Sequence, residues 1–317
     1  MTFAAIMAVA FVIELALGWP AVLCRRIGHP VIWIGAMIAW LDRHLNRGGR
    51  WRRRLAGAGT ALLVAACAAL PAALAQSLLP AGAGGVLIGG LLAWPLLATR
   101  SMHDHVRAVC DPLQAGRTGA ARAAVAMIVG RRTEAMDEGS IARAALESLA
   151  ENSSDGIVAP LFWGLVAGLP GIAAYKAINT MDSMIAHRTS RHEDFGKFAA
   201  RLDDLVNLVP ARLTALIFVL AAGRDWRHVW RVVARDARLH RSPNAGWPES
   251  AMAGALNLRL SGPRDYGLGQ SDDPWLNASG RDARLGDLAR GLALFRRSLA
   301  IVGIALAMVA ILPAQFQ

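Results

Sequence analysis

Between Leu55 and Thr99 the chain carries no Asp, Glu, Lys or Arg. A bilayer core takes about 20 apolar residues per helical span, so this run holds two spans and a turn. Pro80-Ala81-Gly82 supplies the turn. The whole chain agrees with a membrane reading, being 55% hydrophobic with a mean hydropathy of +0.36, more apolar than ordinary soluble domains. Its net charge of +11 would suggest nucleic acid in a soluble protein. Here it reads as Arg-rich loops that fix membrane orientation, and no segment resembles a nucleic-acid recognition helix. Cys24, Cys67 and Cys110 are scattered, which excludes a zinc pattern and a disulfide framework.

The expected fold is all-α, a polytopic membrane helical bundle with a long cytoplasmic helical region and short or re-entrant apolar helices. Three segments follow from polarity. Residues 1–99 form an N-terminal membrane region with a first span over Phe3–Leu17, an interfacial or core helix over His29–Leu41, and the hairpin of Ala56–Leu79 and Gly82–Ala98. Residues 100–297 form a cytoplasm-facing catalytic region, and residues 298–317 hold the last span. No Lys or Arg precedes the first span and Arg25-Arg26 follow it, so it reads as uncleaved with its N-terminus outside. Glu14 inside it either serves function or lies near the interface. Arg43–Arg54 reads as a basic cytoplasmic loop. Gly57, Gly59, Gly85, Gly89 and Gly90 suit close helix packing. Ile157–Ala174 is broken by Pro160 and Pro170-Gly171, and Leu213–Gly223 is half a span. Full crossing by both would place basic residues outside, so partial insertion is expected. Four spans result, with five or six open. Ser261–Ala283 reads as the loosest loop.

Three polar clusters abut apolar stretches. Glu147 and Glu151 are four apart on a helix expected over Gly139–Asn152, and Asp155 extends that face if the helix continues. Stacked acids of this kind either gather around Mg²⁺, which prefers oxygen ligands, or decorate a solvated helix on which Arg143 pairs Glu147. Lys176, Asn179, Asp182 and Ser183 recur at three- to four-residue spacing, and a Lys there suits phosphate while an Asp suits a metal. Arg201, Asp203, Asp204 and Asn207 form the third cluster, with Asp204 and Asn207 expected on one face. Arg131-Arg132-Thr133 offers a guanidinium for a phosphate or carboxylate. Ser242–Glu249 is a turn-rich loop opening a helix, with Asn244 in the turn and Glu249 near the helix start. No Walker-type loop, dinucleotide fingerprint or serine nucleophile elbow is present in the sequence.

Read together, these segments resemble the CobD/CbiB family of cobalamin-biosynthesis membrane proteins. The resemblance is carried by Gly130-Arg131, Glu147 through Gly156, Ala159-Pro160 with Trp163, Tyr175-Lys176 with Asn179-Thr180 and Asp182-Ser183-Met184, Ala200-Arg201 with Asp203-Asp204 and Asn207, Pro210 with Arg212, and Ser242 through Glu249. Gly18, Pro20 and His29-Pro30 match the family's start. The resemblance implies an adenosylcobinamide-phosphate synthase. Such an enzyme uses ATP to join adenosylcobyric acid to (R)-1-aminopropan-2-ol or its O-phosphate. A carboxylate is a poor acyl donor, so phosphorylation to an acyl phosphate supplies the leaving group. Mg²⁺ with Arg and Lys offsets the phosphate charge, and a carboxylate takes the amine's proton.

On this reading Glu147, Glu151, Asp155 and Lys176 are catalytic. Arg131, Asn152, Asn179, Ser183, Arg201, Asn244 and Glu249 bind substrate or phosphate, and Asp182, Asp203, Asp204 and Asn207 hold the metal. The implied partners are the lipid bilayer, the corrinoid and aminopropanol substrates, and other membrane enzymes of the pathway, in an oligomer or alone. The implied location is the inner membrane, multi-pass, with the active site facing the cytoplasm. Two positions depart from the family's usual residues: Trp19 and Arg132 stand where the family usually has Asp. The alternative is a non-catalytic membrane sensor or assembly partner of the AmpE-like type.

Overall fold

The computed structural model describes residues 2–130, 132–187, 189–263 and 272–311. Fourteen α-helices follow in chain order: α1 (Phe3–Leu17), α2 (Ala21–Ile27), α3 (Pro30–Leu45), α4 (Arg50–Ser77), α5 (Ala83–Ala93), α6 (Thr99–Gln114), α7 (Thr118–Ala126), α8 (Glu138–Ser153), α9 (Ala159–Ile185), α10 (Lys197–Val206), α11 (Leu208–Ala221), α12 (Trp226–Asp236), α13 (Gly246–Leu256) and α14 (Asp287–Ile311). Among the described residues the strands are confined to one antiparallel pair, β1 (Leu260–Ser261) and β2 (Trp275–Leu276). The chain is an all-α, polytopic membrane protein. Among the described residues four stretches are long and apolar enough to cross a membrane, Arg50–Ser77, Ala83–Gln114, Glu138–Ile185 and Asp287–Ile311, or up to six if each of two bent helix pairs counts as one span.

This set differs from the expected spans in two ways. Helix α1 has the expected limits, but its 15 residues make a crossing only together with α2, past a bend of 109°. Ile157–Ala174 belongs to a longer helix, because the polar residues after Tyr175 continue α9 to Ile185 instead of ending it. The expected basic loop is also shorter. Arg50–Arg54 form the first turns of α4, where their charges find partners described below.

The helices divide into two compact units interleaved along the chain: residues 1–98, 159–207 and 305–317, and residues 99–158 with 208–304. In the first unit, the apolar sides of α3, α4, α9 and the start of α10 close one core through Ile38, Leu41, Val64, Ile178, Met181, Ile185 and Phe195. Small residues set how closely these helices approach. A Cβ on Gly90 would lie 2.3 Å from Val9 Cγ1, and one on Gly57 would lie 1.9 Å from the carbonyl oxygen of Phe195. Gly59, expected to share this role, faces open space.

Helix α9 is interrupted at Gly168, whose φ of +65° is left-handed. The break precedes Pro170, which has no N–H to donate and crowds the turn before it. The amide of Leu169 is satisfied by Gln76 Oε1 of α4 at 2.7 Å. Pro160, by contrast, sits at the second residue of α9, directly after a π-helical turn over Ser154–Val158.

In the second unit, α8 is buried along nearly its whole length, from Ile141 to Ala150. A helix buried on all sides belongs in the middle of a unit. Helix α13 packs on α8, α11 and α12. The expected loose loop Ser261–Ala283 is ordered at both ends: β1 pairs with β2, and Ser261, Leu276 and Asn277 are buried. Buried carboxylates hold it, since Ser261 N–H donates to Glu147 at 2.8 Å and Asn277 N–H to Asp236 at 2.7 Å. Residues 264–271 of that loop lie outside the described residues.

Candidate functional site

The polar clusters fall into two sets, each within one unit. In the first unit, Lys176, Asn179 and Asp182 are half-buried and Ser183 is exposed, all on the part of α9 beyond the break. The Ser183 hydroxyl donates to the Asn179 carbonyl one turn back, at 3.0 Å. His29 caps the start of α3 by accepting the Val31 N–H on Nδ1 at 3.2 Å, which leaves the proton of a neutral ring on Nε2. Burial, and then the charge of Lys176, hold this imidazole below its ordinary range. His29 is therefore a neutral N–H donor near a cation, an arrangement suited to an anion.

Helix α10 carries Arg201, exposed, and Asp204, half-buried. Asp203 and Asn207 are buried together on its inner side. Tyr175 Oη donates to Asn207 Oδ1 at 3.0 Å, and Asn207 Nδ2 donates to Asp203 Oδ2 at 3.0 Å. Asn207 thus shares a face with Asp203, four residues before it, and not with Asp204 as expected. Its amide is engaged at both ends. Tyr175 was missed as a site residue. The available signal was a tyrosine, one of two in the chain, directly ahead of the polar face of α9.

A second group missed in the sequence closes the segment after Ser183. Asp42 accepts from Arg191 Nη2 at 2.6 Å and from Asn46 Nδ2 at 2.8 Å, with His192 Nε2 at 3.5 Å. Arg54 pairs with Asp194 at 2.8 Å, and Arg50 with the same carboxylate at 3.3 Å. Burial alone would push the Asp42 carboxyl up. The hydrogen bonds from Asn46 and Arg191, with the charges of Arg191 and His192, outweigh burial and hold it below the usual carboxylate range. A depressed pKa contributes stability above the unfolded value, near 3.9, that is lost as pH falls through the folded value. Asp42→Asn is accordingly expected to destabilise the detergent-solubilised chain by about 1–2 kcal/mol at pH 7. The gap should begin to narrow below about pH 4 and vanish only below the lower folded value, measured as melting temperature against pH. An unchanged gap at low pH would contradict this account.

In the second unit, Glu147 is buried and engaged by the Ser261 N–H, with Arg143 Nε at 3.9 Å. The pairing with Arg143 is the i,i+4 contact weighed in the sequence. Arg143 also stands over the Trp275 ring at 4.9 Å, with Arg259 at 4.5 Å from the same ring. Glu151, one turn on, is exposed, and Asn152 is half-buried, donating to the Ser148 carbonyl at 3.0 Å. Asp155 is half-buried in a π-helical turn, Ser154–Val158, that follows α8. Such a turn adds one residue to the helical count, so Asp155 does not continue the Glu147–Glu151 row at regular α spacing.

The Ser242–Glu249 loop is held from within. Asn244 Oδ1 accepts from Arg212 at 3.0 Å, the Arg212 guanidinium lies 4.5 Å from the Trp247 ring centroid, and buried Glu249 stands 3.8 Å from His240 Nε2. Arg131 lies outside the described residues. Among the described residues no three His, Cys, Asp or Glu side chains gather as a metal-holding group.

The chain matches the family described as CobD/Cbib protein over residues 7–295. It is 62% identical to "Cobalamin biosynthesis protein CobD" of Rhodobacter capsulatus over 312 residues, 98% of this chain and 99% of that one. The protein of the same name from Brucella suis is 46% identical, with 94% of each chain covered, and that from Sinorhizobium fredii is 43% identical, with 92% of each covered. No solved structure matches. With nearly every residue of the helices and polar clusters inside the matched range, the chain belongs to the CobD/Cbib protein family.

Proposed function

We propose that the chain serves cobalamin biosynthesis as an adenosylcobinamide-phosphate synthase, joining adenosylcobyric acid to (R)-1-aminopropan-2-ol or its phosphate with consumption of ATP. The observation that carries this reading is the 62% identity, end to end, with a protein named for cobalamin biosynthesis. The polar clusters support it. Lys176, whose charge is felt by the imidazole of His29, suits an anionic oxygen of phosphate or carboxylate. The carboxylate of the corrinoid attacks the terminal phosphorus of ATP, giving an acyl phosphate and ADP. The amine then attacks the acyl carbon, phosphate leaves, and the amine's proton passes to a carboxylate. Of the candidates for that base, Glu147 is engaged in holding β1, and we assign the role to Glu151 or Asp155.

A Mg²⁺ ion arriving with nucleotide takes only one or two protein carboxylates beside phosphates and waters. The described residues fit that demand better than a preformed all-protein cage, with Asp182 and Asp204 as the carboxylates that would hold it. Asp203 and Asn207 would support them from behind. Bound there, the ion would offset phosphate charge. Arg201, Asn179, Ser183 and Asn152 remain candidates for substrate contact. We place the site on the cytoplasmic side of the inner membrane.

The test is incubation of purified protein with adenosylcobyric acid, aminopropanol or its phosphate, ATP and Mg²⁺, with mass spectrometry for the product formed by loss of water. Lys176→Ala is expected to lower turnover about a hundredfold, the size of losing one stabilising cation, with an unchanged melting temperature. Glu151→Gln and Asp155→Asn compared side by side identify the base. Absence of product with both amines would favour the sensor reading, which predicts no ATP turnover.

A further inference from the structure

Helix α12 presents two unlike faces. Val229, Val232, Val233 and Asp236 are buried, one stripe at helical spacing. That stripe is closely packed, since a Cβ on Gly254 of α13 would lie 3.2 Å from Val232 Cβ. The outward face carries Trp226 and Trp230, one turn apart and 48% and 47% exposed. Arg227 and Arg231 lie beside them, with Arg224 before the helix and Arg238 after it, all exposed. The guanidinium of Arg227 stands 5.3 Å from the Trp226 ring centroid. Other arginines meet carboxylates, Arg191 with Asp42, Arg54 with Asp194, Arg281 with Asp287 and, at the end of α12 itself, Arg235 with Asp236. Among the described residues no carboxylate pairs with Arg224, Arg227, Arg231 or Arg238.

Half-exposed indoles alternating with unpaired arginines are poorly suited to bulk water. They match the membrane–water interface, where tryptophan accepts a half-apolar setting and arginine meets phosphate. The preceding helix, α11, is apolar and leaves Leu216 and Leu220 exposed. It leads through Gly223, at φ +64°, into α12. We propose that α12 is an interfacial anchor whose outward face docks on the anionic phospholipid headgroups of the leaflet it meets. Trp226 and Trp230 settle at the headgroup level, and the four arginines pair with lipid phosphates.

The test uses the full chain in nanodiscs, with Ala234→Cys as reporter in the middle of the outward face. Cys24 and Cys67, the exposed cysteines, are replaced by serine. Reaction with a water-soluble maleimide is expected to be about tenfold slower in discs containing phosphatidylglycerol than in phosphatidylcholine alone, the scale that several interfacial arginines supply. Salt should reverse the slowing. Changing Arg224, Arg227, Arg231 and Arg238 together to Gln should abolish the difference without altering the melting temperature, and Lys at the same positions should restore it. Equal rates in both lipids would overturn the proposal. So would protection that persists in detergent, which would mean that a second copy or another protein covers the helix.

Discussion

Asn207→Leu is expected to destabilise the chain by about 2–4 kcal/mol, the range for losing two buried hydrogen bonds of which one is to a carboxylate. Leucine is near asparagine in size but offers no hydrogen bond. Tyr175 Oη loses the Asn207 acceptor and Asp203 Oδ2 the Asn207 donor, in a place where Tyr175 and Asn207 are each 1% exposed. Tyr175→Phe is milder, about 1–2 kcal/mol, because it strands only the Asn207 carbonyl. The three residues form one chain of hydrogen bonds, so the effects should not add. In the Tyr175→Phe background, Asn207→Leu should cost measurably less than it does alone. Chemical unfolding in detergent of the two single variants and the double variant checks this. Strict additivity would show that the hydrogen bonds are not coupled.

Gly57→Ala is expected to cost about 3 kcal/mol, the upper range for forcing an extra methyl into a packed core. The obstacle is backbone: the new Cβ would lie 1.9 Å from the Phe195 carbonyl oxygen and 2.8 Å from its carbon. No rotamer change relieves that, so α4 must move away from the start of α10. Gly59→Ala, two residues on in the same helix, meets nothing within 4 Å. It should be neutral or stabilising by up to about 1 kcal/mol, the helix-propensity gain of alanine over glycine. The pair differs by one methyl on one helix, so comparing their melting temperatures isolates packing from propensity. Equal effects would contradict the close approach.

The membrane helices were legible because lipid forbids charge, and a gap such as Leu55–Thr99 has few other meanings. Helix α1 was legible to the residue, from Phe3 to Leu17, because Gly18 closes it with a left-handed φ of +57°. The position of the break in α9 was less legible. Proline marks the neighbourhood, but the left-handed turn falls at Gly168, where glycine tolerates it. The site clusters were visible as residue types at helical spacing. Which acids hold the fold was not visible, because their partners are remote. Glu147 accepts from Ser261, 114 residues away, and Asp42 from Arg191, 149 residues away. The face shared by Asp203 and Asn207 was misassigned for a local reason. Positions three and four apart both lie nearby on a helix, and only the buried Tyr175 decides between them.

The interruption at Gly168 divides α9 into two arms, and Lys176, Asn179 and Asp182 all ride on the second. The heading of that arm is set from outside its own helix, by the amide oxygen that Gln76 lends to Leu169 and by the core that Ile178, Met181 and Ile185 close with α3, α4 and Phe195. The direction in which these three side chains reach is therefore written partly in α4.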